Sequence, residues 1–256
     1  MAAMQLSKRA GWCTIRATNS KATGEPTMSP GNRRSFLQLV PLFEGLDDAE
    51  LERLAADVRR RAYPADQIIF HQGDPGHAVY IVESGRVRIY VQGEDGQEVS
   101  VSIYDPGDIF GEMSLIERQP RSATAVTMED SVLLIIHDED FYRHLQASHQ
   151  LALNLMLTLS ARLRDTTETV ESLATLDVNR RLIKKLLHLA ERQGVVTEEG
   201  IRIRGTLTQQ ALASLIGTSR ESANRALSAL ARQGLIDVQH GHITIRKLRE
   251  LERLIE

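Results

Sequence analysis

The chain has 256 residues, 42% of them hydrophobic and 25% charged, with a formal net charge of −3. That is room for two soluble domains with ample core. A single cysteine, Cys13, excludes a disulfide framework or an all-cysteine iron–sulfur site within one chain, and fits a reducing cytoplasm.

No apolar run approaches the roughly 18 residues of a membrane span, so no membrane partner is expected. The N-terminus is basic but has no apolar h-region, which argues against a secretory signal. Charge is unevenly spread. From Val178 onward there are 14 Lys/Arg and 8 Asp/Glu, a local balance of +6, and the rest carries −9. A basic C-terminal part on an acidic N-terminal part points to nucleic acid.

Residues 1–34 lack periodicity and read as a disordered extension, with Met28 an alternative start and Trp12 and Cys13 without assigned partners. A short helix is expected at 35–40. A second spans 47–60, with Leu51, Leu54, Ala55 and Val58 at helical spacing and Asp47 or Asp48 as its cap.

From 61 to 137 the pattern changes to alternation and short apolar runs, at 68–70, 79–82, 87–91, 98–103, 123–127 and 132–136. Turn residues such as Gly73-Asp74-Pro75-Gly76 and Asp105-Pro106-Gly107-Asp108 separate them. This predicts an antiparallel sandwich or barrel, with Asp95-Gly96 as a hairpin turn. One segment, 110–124, interrupts the sheet with glycine, a carboxylate, an arginine and hydroxyls.

Helices return at 138–146 and in a long one at 148–176. In the latter, Met156, Leu159, Leu163, Val170 and Leu173 form a heptad seam whose empty slot falls on Thr166. A seam of this length predicts a coiled-coil homodimer. A hydroxyl within it costs packing unless something polar meets it.

Asp177 would cap a helix at 178–193, and the domain boundary is placed there. The remainder reads as a strand at 201–204 and a helix from a Thr208 cap to 216. A tight Gly217-Thr218-Ser219 turn leads into a helix at 220–233, ended by Gly234. A hairpin around His240-Gly241 and a last helix at 247–256 follow. Together these elements predict an α+β chain ending in a winged helix-turn-helix that binds double-stranded DNA.

On these residues the chain resembles the cyclic AMP receptor protein/FNR superfamily of bacterial transcription regulators over about residues 36–246. Phe110-Gly111-Glu112-Met113-Ser114-Leu115 followed by Pro120-Arg121-Ser122-Ala123-Thr124 is similar to that family's phosphate-binding cassette. The resemblance implies a cyclic-nucleotide-binding β-roll at 35–147, a dimerisation helix at 148–176 and a DNA-binding domain at 177–256.

A cyclic phosphodiester carries one negative charge and wants a guanidinium, backbone N–H groups and hydroxyls. By resemblance, Arg121 supplies the first, the backbone of Gly111 to Met113, Ser122 and Ala123 the second, and the Ser122 hydroxyl the third. Glu112 repels a phosphate but suits a ribose 2′-hydroxyl, or could pair with Arg121. Thr166 and Thr167 match the hydroxyl pair that meets adenine in cAMP-responsive members, Thr166 in its own pocket and Thr167 in that of the facing subunit. cAMP is therefore the expected allosteric ligand.

Arg220, Glu221 and Arg225 match the family's R-E-x-x-x-R recognition helix, implying a TGTGA-type palindrome. Asn224 shares that helix, and Thr208 and Ser219 are candidates for phosphate contact or simple capping. RNA polymerase is an expected partner, and no catalytic or metal site is expected.

The lone cysteine argues against an oxygen-sensing cluster, and the intact cassette against the family's 2-oxoglutarate branch. His71 and His77 lie in loop contexts that read as solvated histidines, and no haem ligand is assigned. A response to cGMP, cyclic di-GMP or no ligand stays open, as does a haem or redox sensor. From another class, a cyclic-nucleotide-regulated enzyme subunit remains.

Overall fold

The computed structural model describes residues 30–93, 96 and 98–255. Most of the N-terminal extension, with Trp12, Cys13 and Met28, lies outside the described residues.

The first helix, α1 (Pro30–Leu37), begins ahead of the expected segment, and a single 3-10 turn at Pro41–Phe43 follows. Helix α2 (Asp48–Asp57) opens on a full capping box: the Asp47 carboxylate accepts from Glu50 N–H and the Glu50 carboxylate accepts from Asp47 N–H. It stops three residues short of the expected end. Val58 turns extended and Arg59 and Arg60 already belong to strand β1 (Arg59–Tyr63). Leu54 and Val58, four apart, fit a helix face, but Val58 keeps its burial after the backbone has changed.

The β-roll is two antiparallel four-stranded sheets. One has the order β1, β8 (Ser131–His137), β3 (Ala78–Ser84), β6 (Ile109–Phe110). The other runs β2 (Ile68–Phe70), β7 (Thr124–Thr127), β4 (Val87–Gln92), β5 (Glu98–Tyr104). Tyr63, Val82, Val87, Phe110, Ala125 and Leu133 fill the space between them. The outer face of the first sheet is covered by α1, α2, α4 (Asp138–Ala147) and the start of α5 (His149–Thr175), through Leu37, Phe43, Leu54, Phe141 and Leu151. Asn154, an interruption in the apolar pattern, is buried because its amide donates to the carbonyls of Leu42 and Glu44.

Asp177 caps α6 (Val178–Gln193), its carboxylate accepting from Arg180 N–H. The C-terminal unit adds α7 (Gln209–Leu215), α8 (Arg220–Arg232), α9 (Leu248–Arg253) and a sheet ordered β11 (Ile236–Gln239), β12 (His242–Ile245), β10 (Gly200–Ile203), β9 (Gly194–Thr197). Strand β9 was not expected. His240 and Gly241 both have positive φ, 51° and 81°, as a two-residue hairpin with the twist of its strands requires.

The two units are in contact. Ile103 of β5 belongs to the same buried cluster as Leu182, Leu212 and Leu215, and Met128 packs against it. Strand β5 is a sheet edge, and Ser214 of α7 meets it. The Ser100 N–H donates to Ser214 Oγ (2.5 Å), which donates to the Glu98 carbonyl (2.8 Å). The edge is thereby covered rather than left open to pairing.

Candidate functional site

The interrupted segment folds as a left-handed Gly111 (φ 81°) leading into one short helix, α3 (Glu112–Glu117), then a loop that returns Arg121 beside Gly111. A side chain at 111 would place its Cβ 2.7 Å from Arg121 Nη1, so both backbone angle and space call for glycine. Arg121 is buried at 4% exposure. Its Nη1 donates to Gly111 O (2.7 Å) and Ser114 Oγ (2.8 Å), and its Nη2 donates to Ala78 O (2.9 Å). The guanidinium lies 4.3 Å from the Phe70 ring centroid and 5.6 Å from that of Tyr80. Burial lowers its pKa, partly offset by Tyr80, Glu112 and Asp74.

Glu112 is buried at 2% exposure and pairs with Arg162 of α5 (Nη1 to Oε1, 2.7 Å), not with Arg121. The Arg121 fork is already committed to backbone and aromatic faces, whereas Arg162 reaches in from outside the cassette. Arg162 also donates to the Ile109 carbonyl and stacks over Tyr104 at 4.7 Å. Burial works against its charge, yet Glu112, Tyr104 and Asp108 together raise its pKa. Burial pushes the Tyr104 hydroxyl up to about 12.

Two buried polar atoms in this group have no hydrogen-bond partner, Glu112 Oε2 and Arg121 Nε. One is an acceptor and the other a cationic donor, the pair a cyclic nucleotide's sugar hydroxyl and phosphate would satisfy. Ser122 is exposed, its Oγ 4.0 Å from Met113 Sδ, and Ala123 is buried beside it.

Arg162, Phe70, Tyr80 and Ser114 are the members of this site that sequence reasoning did not single out. Arg162 stands one helical turn before Thr166, and that spacing was the available signal. Thr166 and Thr167 are exposed, and their hydroxyls donate to the carbonyls of Arg162 (2.8 Å) and Leu163 (2.9 Å). Thr166 thus stands on the same face as the arginine that holds Glu112. The seam residues Met156, Leu163, Val170 and Leu173 are exposed, 68% for Leu163, while Leu159 packs into the roll. Leu173 also lies against Gly217 of the C-terminal unit.

In that unit, α7 and α8 pack across the Gly217 turn through Leu212, Ala213, Leu215, Ala223, Ala226 and Leu227. Thr208 caps α7 and Ser219 caps α8, each hydroxyl accepting from the N–H three residues on. Arg220, Glu221, Asn224 and Arg225 are exposed on the opposite face of α8. Arg225 donates to Ser222 Oγ (2.9 Å). Gln209, the first residue of α7, stands between Arg220 and Asn224 and contacts both.

Among the described residues no helix is long and apolar enough to cross a membrane, and no cluster of His, Cys, Asp and Glu could hold a metal ion.

Residues 60–148 match the model of the cyclic nucleotide-binding domain, and residues 180–254 that of the Crp-like helix-turn-helix domain. The chain is 37% identical to the cyclic AMP receptor protein of Thermus thermophilus over 84% of its own length and 96% of the relative's. It is 32% identical to the CRP-like cAMP-activated global transcriptional regulator of Mycobacterium tuberculosis, over 85% and 97%. Among solved structures it is similar to the c-di-GMP responsive global regulator CLP of Xanthomonas campestris, with TM-score 0.67, 31% identity, and 78% and 99% of the two chains covered. These relatives are transcription regulators rather than enzymes. The chain belongs to the Crp–Fnr family of DNA-binding transcription regulators, with a cyclic nucleotide-binding β-roll ahead of a winged helix-turn-helix.

Proposed function

We propose that the protein is a homodimer controlled by cAMP that reads a TGTGA-type palindromic operator. The observation that carries the ligand reading is the pair of buried, unpartnered atoms, Glu112 Oε2 and Arg121 Nε. In this reading Glu112 accepts the ribose 2′-hydroxyl. Arg121, Ser122 and the amides of Gly111, Met113 and Ala123 take the cyclic phosphate. Arg162 positions Glu112.

Thr166 and Thr167 have spent their hydroxyl protons on the helix backbone, so each offers lone pairs outward. An acceptor suits the exocyclic amine of adenine, where guanine has a carbonyl. The exposed α5 seam supports pairing of two such helices, with Thr167 serving the facing protomer's ligand.

Arg220, Glu221, Asn224 and Arg225 read base edges, arginine to guanine and glutamate to cytosine. Thr208 and Ser219 stand at the phosphates. The functional units are 35–147, 148–176 and 177–256. The family supports a cytoplasmic protein that meets RNA polymerase at promoters.

Calorimetric titration of the full chain with cAMP, cGMP and cyclic di-GMP tests the ligand. Binding of cAMP ahead of the other two is expected. No cAMP binding up to millimolar concentration, or tighter binding of cyclic di-GMP, overturns the assignment.

A further inference from the structure

The Gln209 side chain forms a polar bridge that joins the two helices of the helix-turn-helix on their exposed side. Arg220 Nε donates to Gln209 Oε1 (3.3 Å), and Gln209 Nε2 donates to Asn224 Oδ1 (3.2 Å). The direction of these bonds follows from chemistry. A guanidinium has only donors, so the amide oxygen of Gln209 must face it. The amide nitrogen of Gln209 must then face Asn224, and Asn224 must answer with its oxygen.

The arginine therefore sets the orientation of two amides in series. Its own Nη groups, and Asn224 Nδ2, have no partner among the described residues and lie on the exposed face of α8. Gln209 is itself exposed and makes no contribution to the core.

We propose that Gln209 is a positioning residue for base choice, holding Asn224 so that it offers the groove a donor and not an acceptor. The proposal rests on the reading of α8 as the helix that meets bases. An asparagine free to turn can bond adenine with both ends, accepting from N6 and donating to N7. Held as here, Asn224 can only donate. It favours guanine O6 or thymine O4 on the strand it faces, keeps only the N7 half of the adenine pair, and gains nothing from cytosine N4. Arg220, its Nε engaged, presents an end-on Nη pair, matched to guanine O6 and N7.

Gln209→Glu is the informative variant. A carboxylate keeps the bond from Arg220, and its second oxygen accepts from Asn224 Nδ2. Asn224 then turns its oxygen outward and seeks cytosine N4 or adenine N6. Gln209→Ala releases both side chains.

Native protein and both variants, with cAMP present, are used to select duplexes from a library randomised across the half-site. Asn224→Ala identifies which position depends on Asn224. At that position native protein is expected to prefer guanine or thymine, Gln209→Glu to reverse toward cytosine or adenine by about tenfold, and Gln209→Ala to flatten the preference, within the range of a single base contact. All variants should melt within a degree or two of native protein, as surface substitutions do. Identical base preferences in native, Gln209→Glu and Gln209→Ala proteins overturn the proposal while leaving α8 as the reading helix. A native protein that selects no half-site overturns both.

Discussion

Glu112 and Arg121 are among the most deeply buried charged side chains of the roll, and each leaves one polar atom without a protein partner. Their substitution should separate ligand recognition from stability. Glu112→Gln keeps the shape but weakens acceptance of a hydroxyl. Native protein should bind cAMP at least tenfold tighter than 2′-deoxy-cAMP, roughly the worth of a hydrogen bond to a charged group, and the variant should lose most of that ratio. An unchanged ratio in calorimetry would show that Glu112 does not meet the ribose.

Arg162→Ala leaves Glu112 buried without its counter-ion, a change worth about 3 kcal/mol in comparable pairs. Urea denaturation of the nucleotide-free protein should show that loss. Arg121→Ala should abolish nucleotide binding. It also strips a donor from Gly111 O, Ala78 O and Ser114 Oγ, so it should lower stability by about 2 kcal/mol as well.

At the scale of elements, α5 links ligand to assembly. Its apolar seam runs past Arg162 and Thr166, and Leu163 is exposed in the single chain. Leu163→Glu should convert a dimer to a monomer in sedimentation velocity, with the far-ultraviolet spectrum intact. A dimer that survives the change would place the interface elsewhere.

The elements were legible in the chain wherever periodicity and turn chemistry agreed. The Asp177 cap, the Gly217 turn and the His240-Gly241 hairpin are local signals with local causes. The end of α2 was not legible, because Val58 satisfies a helix face and a buried extended position equally well. Strand β9 was missed because it pairs with β10 as a hairpin across Glu198-Glu199, a turn that carries neither the glycine nor the asparagine that usually signals one. In the site, the cassette was readable as a motif. Arg162 was not, because its partnership with Glu112 spans 50 residues of sequence and depends on how α5 leans on the roll.

At the scale of the whole molecule, the junction between roll and C-terminal unit is polar as well as apolar. Arg86 is buried at 3% exposure and donates to the Thr206 carbonyl (2.7 Å) while pairing with Glu129 (3.3 Å). Gly205, with φ 69°, lets the loop close over it; a Cβ there would fall 2.2 Å from Arg86 Cζ. Arg192 of α6 reaches Asp108 at 3.5 Å and Asp165 at 3.9 Å.

Asp105 lies in the same region. Burial first, then the neighbouring Asp108 and Glu129, push its pKa up to about 6 against the pull of Arg86 and Arg192. A carboxyl raised in the folded state contributes stability that is full below its unfolded value of 3.8 and is lost as pH rises through 6. By pH 7.5 the cost of its ionisation is on the order of 3 kcal/mol. Asp105→Asn should therefore melt higher than native protein near pH 7.5, with the gap closing near pH 4. His188, lowered by burial and by Lys185, acts in the opposite sense, but it is common to both proteins and cancels in the difference.

In the proposed function, a nucleotide in the roll changes what the helix-turn-helix does. Fluorescence anisotropy of a labelled TGTGA–TCACA duplex, titrated with full-length protein at fixed salt with and without saturating cAMP, tests it most directly. At least a tenfold gain in affinity for that duplex is expected with cAMP, a coupling of about 1.4 kcal/mol or more, with little change for a scrambled duplex. Equal operator affinity with and without the nucleotide would contradict it.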